Sequence, residues 1–124
     1  MRRHLQLLLP CVLLVGAPAI AADPLAGDAL RGLIAGKTVH VATPVGTVPV
    51  SFRADGTMSG RSPAIASYAM TAADEGRWWV AGDRLCQQWS TWFNRSTHCF
   101  AMKREGRTLY WNGAGRSGTA TIGN

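Results

Sequence analysis

Beyond residue 36, apolar and polar positions alternate along most of the chain, the period of a strand with one buried face. Residues 37–43 set Val39 and Val41 on one side, and residues 45–54 set Val48, Val50 and Phe52 against Thr47, Pro49, Ser51 and Arg53. Pro49 suits an edge or a bulge. Asp55-Gly56 then signals a hairpin. Residues 59–75 carry Ser, Ala and Pro63 with few large apolar side chains, a pattern that allows one short strand near 67–71 and a loop. Four strands follow, 77–81, 84–89, 97–104 and 107–112, separated by Gly82-Asp83, a longer loop at 90–96, and Glu105-Gly106. Residues 113–118 form a flexible turn before a closing strand at 119–122.

These strands can be set against one another. Placing Cys86 opposite Cys99 puts Leu85 opposite Phe100, Gln87 opposite His98 and Trp89 opposite Ser96. A two-residue turn at Gly82-Asp83 pairs Val80 with Leu85 and Trp78 with Gln87. A two-residue turn at Glu105-Gly106 pairs Phe100 with Trp111 and Met102 with Leu109. The three registers agree on faces. One collects Trp78, Val80, Leu85, Trp89, Phe100, Met102, Leu109 and Trp111; the other collects Trp79, Cys86, Gln88, Cys99, Ala101, Thr108 and Tyr110. A slip of one residue would scatter the apolar set. A meander of seven or eight short strands must hide such a face by closing into a barrel or folding over as a sandwich. The expected fold is mainly all-β, a small antiparallel up-and-down β-barrel of the lipocalin-like sort, with one short N-terminal helix over an end.

That helix is expected within residues 22–36. Leu30, Leu33 and Ile34 share a face, Asp28 can cap the start, and Gly36 suits the C-terminal cap. Asp23-Pro24 could instead start it earlier. Ahead of it, Met1-Arg2-Arg3-His4, an apolar run from Leu5 to Val15, and Ala19-Ile20-Ala21 form the pattern of a cleaved secretory signal peptide spanning residues 1–21. The remaining residues, 22–124, form a single secreted β-rich domain with no other segment long enough to cross a membrane.

Removing the leader changes the totals. The chain has 13 Lys and Arg, 7 Asp and Glu, and 3 Cys. Arg2, Arg3 and Cys11 depart, leaving eleven basic residues against seven acidic and a net charge of +4 rather than +6. Cys86 and Cys99 remain as an even pair in an oxidising compartment, and a disulfide is expected. The modest charge, spread over strands and turns, does not suggest nucleic acid as a partner. A monomer is expected.

Catalytic chemistry finds little support. The mature chain holds His40 and His98, neither with a carboxylate placed to orient it, and the paired cysteines leave no thiol nucleophile. Asp74-Glu75 reads as a solvated turn. No metal site is expected, because two cysteines without a C-x-x-C spacing and two histidines make a poor ligand set, and no cofactor fingerprint is present. Binding is better supported. Trp78, Gln87, Trp89 and His98 gather on the inner face, where polar groups among aromatics could orient a small amphipathic ligand. Trp92 and Phe93 fall in the loop between the cysteines, and exposed aromatics on a stapled loop are candidates for a protein contact.

Leu30-x-x-Leu33, Gly36-Lys37-Thr38, Asp55-Gly56-Thr57, Gly76-x-Trp78, Cys86-x-x-Trp89, Cys99 and Gly123-Asn124 occur in this order. In this the chain resembles a family of small secreted proteobacterial proteins of unknown function, which implies a periplasmic or exported β-rich domain with a paired Cys and no activity to carry over. A fainter likeness, G-x-W with one disulfide, is to the small periplasmic barrel inhibitors of bacterial metalloproteases. The expected function is a non-enzymatic exported domain that binds a protein or a small envelope-associated ligand. The alternative is an inhibitor of a secreted hydrolase or protease.

Overall fold

The computed structural model describes residues 22–123, and the expected leader at 1–21 lies outside them. Eight antiparallel strands run up and down in chain order: β2 (Lys37–Thr43), β3 (Gly46–Phe52), β4 (Thr57–Arg61), β5 (Ala73–Ala81), β6 (Arg84–Trp89), β7 (Thr97–Glu105), β8 (Thr108–Gly113) and β9 (Arg116–Ile122). Each pairs with the next, and β9 returns to pair with β2 through Val39↔Ile122 and Val41↔Ala120, so the sheet closes into a barrel. A two-residue strand, β1 (Asp23–Pro24), lies beside β7 at Arg104 and Lys103.

Closure explains the alternation. Val39, Val48, Val50, Phe52, Met58, Trp78, Leu85, Trp89, Met102, Leu109, Ala120 and Ile122 point inward and are buried. Cys86 faces Cys99 across β6 and β7 on the outward side of the wall, where Cys86 is buried and Cys99 half-buried, and their sulfurs are bonded at 2.06 Å. The expected pairings Trp78↔Gln87, Val80↔Leu85, Leu85↔Phe100 and Gln87↔His98 are all present.

The β7–β8 register differs from the expected one. Met102 pairs with Trp111 and Arg104 with Leu109. The turn is Gly106-Arg107 rather than Glu105-Gly106, with Gly106 at φ +58 in its first position. Tight hairpin turns need positive φ there, which glycine supplies without strain. The shift is two residues, an even number, so every side chain keeps its face.

The sparse stretch at 59–75 holds no strand at 67–71. Its first part is β4, Pro63–Ile65 and Ala66–Ala69 (α2) form short helical turns, and β5 starts at Ala73. Strand β9 likewise begins at Arg116, earlier than its apolar residues indicate. Gly60 explains the weak signal in β4. A Cβ on it would lie 2.7 Å from the Trp92 ring and 2.8 Å from the Trp89 ring, so the inward position must lack a side chain.

Helix α1 (Gly27–Ile34) is shorter than the helix expected over residues 22–36, because residues 23–24 belong to β1. Asp28 does not cap it; the N-cap is Ala26, and Asp28 sits in the first turn, where its charge still favours the positive helix end. Gly36 follows the helix at φ +78 and its N–H donates to the Phe52 carbonyl. Leu30 and Ile34 are fully buried, and the Arg31 guanidinium lies 5.7 Å from the Trp78 ring centre. The Gly27 N–H donates to the Gly82 carbonyl. The helix thus stoppers the barrel end that carries the 53–56, 82–83 and 106–107 turns, here called the helix end. The connections at 44–45, 62–72, 90–96 and 114–115 fall at the opposite, loop end.

Candidate functional site

Trp78, Gln87 and His98 stand side by side across β5, β6 and β7, as their register requires. They do not form one open pocket. Trp78 is buried toward the helix end, its indole N–H donating to the Arg53 carbonyl at 2.8 Å and its ring meeting Phe52 edge-on. Trp89 is buried against Trp92 at 4.7 Å between ring centres. Its Nε1, like that of Trp111, is buried without a hydrogen-bond partner among the described residues. Gln87 and His98 are half-buried. The His98 ring sits between Phe93 at 5.9 Å and Phe100 at 6.3 Å, and Phe100 meets Trp111 at 5.3 Å. This is an aromatic row leading from the loop end into the wall.

Two shallow grooves lie elsewhere on the surface. One of about 580 Å³ runs between Pro24, Leu25, Lys103, Tyr110 and Thr119. The other, about 610 Å³, crosses Ser51, Ser59, Arg61 and Glu75. Neither takes in any of the four residues singled out as a small-ligand cluster. Among the described residues, no group of three or more His, Cys, Asp and Glu side chains could hold a metal ion.

The 90–96 loop divides its two aromatics. Trp92 is not exposed: it is 2 % accessible and folds back over the barrel mouth. Its indole N–H donates to the Thr71 carbonyl at 2.9 Å. Asp74 Oδ2 accepts the backbone N–H groups of both Thr91 and Trp92 at 2.8 Å, so this carboxylate is a loop anchor rather than a solvated turn residue. Phe93 points outward and is 47 % accessible. Phe93, Asn94 and Arg95 have φ of 56°, 55° and 58°, three left-handed residues in succession without a glycine. Gln88 Nε2 holds the far side by donating to the Arg95 carbonyl at 3.0 Å, and the disulfide joins the strands beneath.

The same end collects further exposed apolar side chains that the alternation did not single out. Val45 occupies the 44–45 turn and Met70, 87 % accessible at φ 72°, the 62–72 connection. The Trp92 indole N–H bond to the Thr71 carbonyl ties the 90–96 loop to the 62–72 connection. Another exposed large apolar residue, Tyr110, lies on the outer wall. Among the described residues, the non-glycine positions with positive φ, Met70, Phe93, Asn94, Arg95 and Ala114, are in loop-end connections, where Gly46, Gly113 and Gly115 also have positive φ. At the helix end, Gly27, Gly36, Gly56, Gly82 and Gly106 take that conformation.

Charge is spread over both ends, with the greater number of basic residues toward the helix end. The loop-end connections contain no Asp or Glu, while exposed Arg95 lies within one and exposed Arg61 and Arg116 border two others. The nearest acids are Asp74, engaged by the loop backbone, and exposed Glu75 further along β5. The helix end mixes both signs, with Asp23, Asp28, Asp55, Asp83 and Glu105 among its basic residues. At the 53–56 turn, Asp55 accepts from the Thr57 hydroxyl at 2.7 Å and the Thr57 N–H at 2.9 Å. These bonds, the hydroxyl's first, hold its carboxyl below the usual carboxylate range.

The disulfide fits a protein of an oxidising compartment, extracellular or periplasmic. No described helix is long and apolar enough to cross a membrane. No family model, curated protein or solved structure matches the chain.

Proposed function

We propose that this chain is an exported, non-enzymatic binding barrel that engages its partner in the cell envelope with the loop end. The observation that carries this reading is the Phe93 tip. Left-handed backbone at a non-glycine residue costs about 1–2 kcal/mol, and three such residues follow one another here. Such strain persists only where surrounding structure enforces it, and it concentrates at functional sites. The buried Trp92, the Asp74 carboxylate and Gln88 supply that enforcement. One side of the Phe93 ring meets His98 edge-on and the rest stays accessible, on a turn where glycine would sit without strain. A rigid aromatic held ready for contact loses little conformational freedom on binding.

Export is supported by the leader pattern at 1–21 and by the disulfide. An inhibitor that inserts its N-terminal arm is less well supported. The Leu25 N–H donates to the Met102 carbonyl and Gly27 is tied to Gly82, so this segment lies against the barrel.

The test compares the mature chain with Phe93→Gly for retention on the envelope fraction of the producing cell. The wild type should be retained and the variant released, with both folded by circular dichroism. Equal retention of the two would place the contact elsewhere.

A further inference from the structure

We propose that the joint between β2 and β9 is a lateral opening held by a clasp. Arg107 and Gly123 fasten the last strand to the first, and the barrel opens there before the β5–β7 wall does. This goes beyond the loop-end reading and does not rest on it.

Among the described strands of the barrel, β2 and β9 are the one neighbouring pair that no turn or loop joins directly. Their pairing therefore meets the entropy of closing nearly the whole barrel sequence, with no hairpin to lower it. Three residue pairs make the joint, Val39↔Ile122, His40↔Thr121 and Val41↔Ala120. Strands β3 and β4 also share three, but the 53–56 turn ties them. Towards the loop end the joint splays. Ala42 and Thr43 are in register only with β3, and residues 116–119 only with β8. Val41, Trp111 and Gly118 face inward there yet are half-buried, whereas Val39, Leu109 and Ala120, deeper along the same strands, are buried.

The fastening lies at the helix end. The Arg107 guanidinium donates from Nε at 3.1 Å and from Nη2 at 2.8 Å to the Ile122 carbonyl. The Ile122 N–H donates back to the Arg107 carbonyl at 2.8 Å, and the Gly123 N–H donates to the Thr38 carbonyl at 2.7 Å. A Cβ on Gly123 would stand 2.8 Å from the Thr38 oxygen and 3.1 Å from His40 Nε2, so a side chain there pushes β9 off β2. Bonds from a charged fork are stronger than neutral ones, and here two of them converge on one oxygen of the closing strand. Opening the clasp parts β9 from β2. It gives lateral access to the Trp111 ring, which lies across Gly118, and to Phe100 against it.

Amide hydrogen exchange of the mature, disulfide-bonded chain, followed residue by residue by NMR, tests this. Alternate residues of a strand turn their N–H groups to opposite neighbours. His40, Thr121 and Gly123 therefore report on the joint, and Val39 and Val41 on the β2–β3 pairing. In the wild type the first three are expected to exchange about tenfold faster than Val39, Val41 and the β5–β7 amides, as in a local opening. Arg107→Ala should speed them by a further ~10- to 100-fold, the effect of losing hydrogen bonds from a charged donor, with β5–β7 unchanged. Gly123→Ala should act on the same amides by the steric route, and it decides the matter if Arg107→Ala does not fold. Joining His40→Cys to Thr121→Cys with a short bifunctional thiol reagent should slow them to the β5–β7 level. Wild-type exchange at His40 and Thr121 no faster than in β5–β7 would overturn the proposal. So would variant effects spread evenly over all strands, which mark global unfolding rather than a clasp.

Discussion

Gly60 lies directly beneath Trp92: a Cβ there would stand 2.7 Å from Cζ3 of the indole, and the Trp89 ring is almost as close. The closed mouth at the loop end depends on this absence of a side chain. Gly60→Ala should therefore destabilise the protein by about 1–3 kcal/mol, the usual effect of overpacking a rigid core. Urea unfolding monitored by tryptophan fluorescence measures it.

Adjacent aromatics in the 90–96 loop should respond oppositely to truncation. Trp92→Ala empties a buried site and leaves the Thr71 carbonyl without its donor, and about 3–5 kcal/mol should be lost. Phe93→Gly relieves left-handed strain but frees the unfolded chain, so its stability should stay within about 1 kcal/mol of wild type. Unfolding curves of the two variants decide this. A large loss at Phe93 would make it a core residue.

Asp74 provides a further control on the tip. Asp74→Ala removes the acceptor for both the Thr91 and Trp92 N–H groups. Hydrogen bonds to a charged acceptor contribute about 1.5–3 kcal/mol, so the loop should loosen while the barrel persists. Limited proteolysis should then cut within residues 90–96, with the β6 and β8 amides still slow to exchange.

Reduction tests the staple. The Cys86–Cys99 bridge closes a loop of 13 residues' separation, and opening it should lower stability by about 3 kcal/mol. The paired variant Cys86→Ser with Cys99→Ser should unfold at the temperature of the reduced wild type. Native material should show no free thiol at either position.

Asp55 gives a pH dependence of known sign. Its carboxyl is held below the ordinary aspartate value of 3.8, chiefly by the Thr57 hydroxyl and then by the Thr57 N–H. A depressed folded value means the carboxylate is favoured in the native state. Its contribution is therefore fully present above the unfolded value and is lost as pH falls through the folded one. Carboxyl NMR titration should place the midpoint below 3.8, and Asp55→Asn should flatten this part of the acid-unfolding profile.

Much of the barrel wall was legible because its determinants are local. Period-2 alternation assigns faces, and the error in the β7–β8 turn did no harm to them because two residues preserve parity. The candidate site was legible only in part. Trp92 and Phe93 are neighbours of similar character in the sequence, yet one is core and the other exposed. What separates them is contact with Asp74 and Thr71, 18 and 21 residues away, which no periodicity reports. Met70 and Val45 gave no signal of their own, since a single apolar residue in a turn is unremarkable until its surroundings are known.

By itself, then, the sequence determined most strands after residue 36 outside the 57–75 stretch, the two faces of the wall and the Cys86–Cys99 pairing, because each follows from alternation and registry within a hairpin. The tertiary structure decided that β9 meets β2, which end α1 stoppers, and that Trp92 is buried while Phe93 is exposed at the other. Those outcomes depend on chain segments far apart in sequence coming together, and only closure of the barrel brings them within reach.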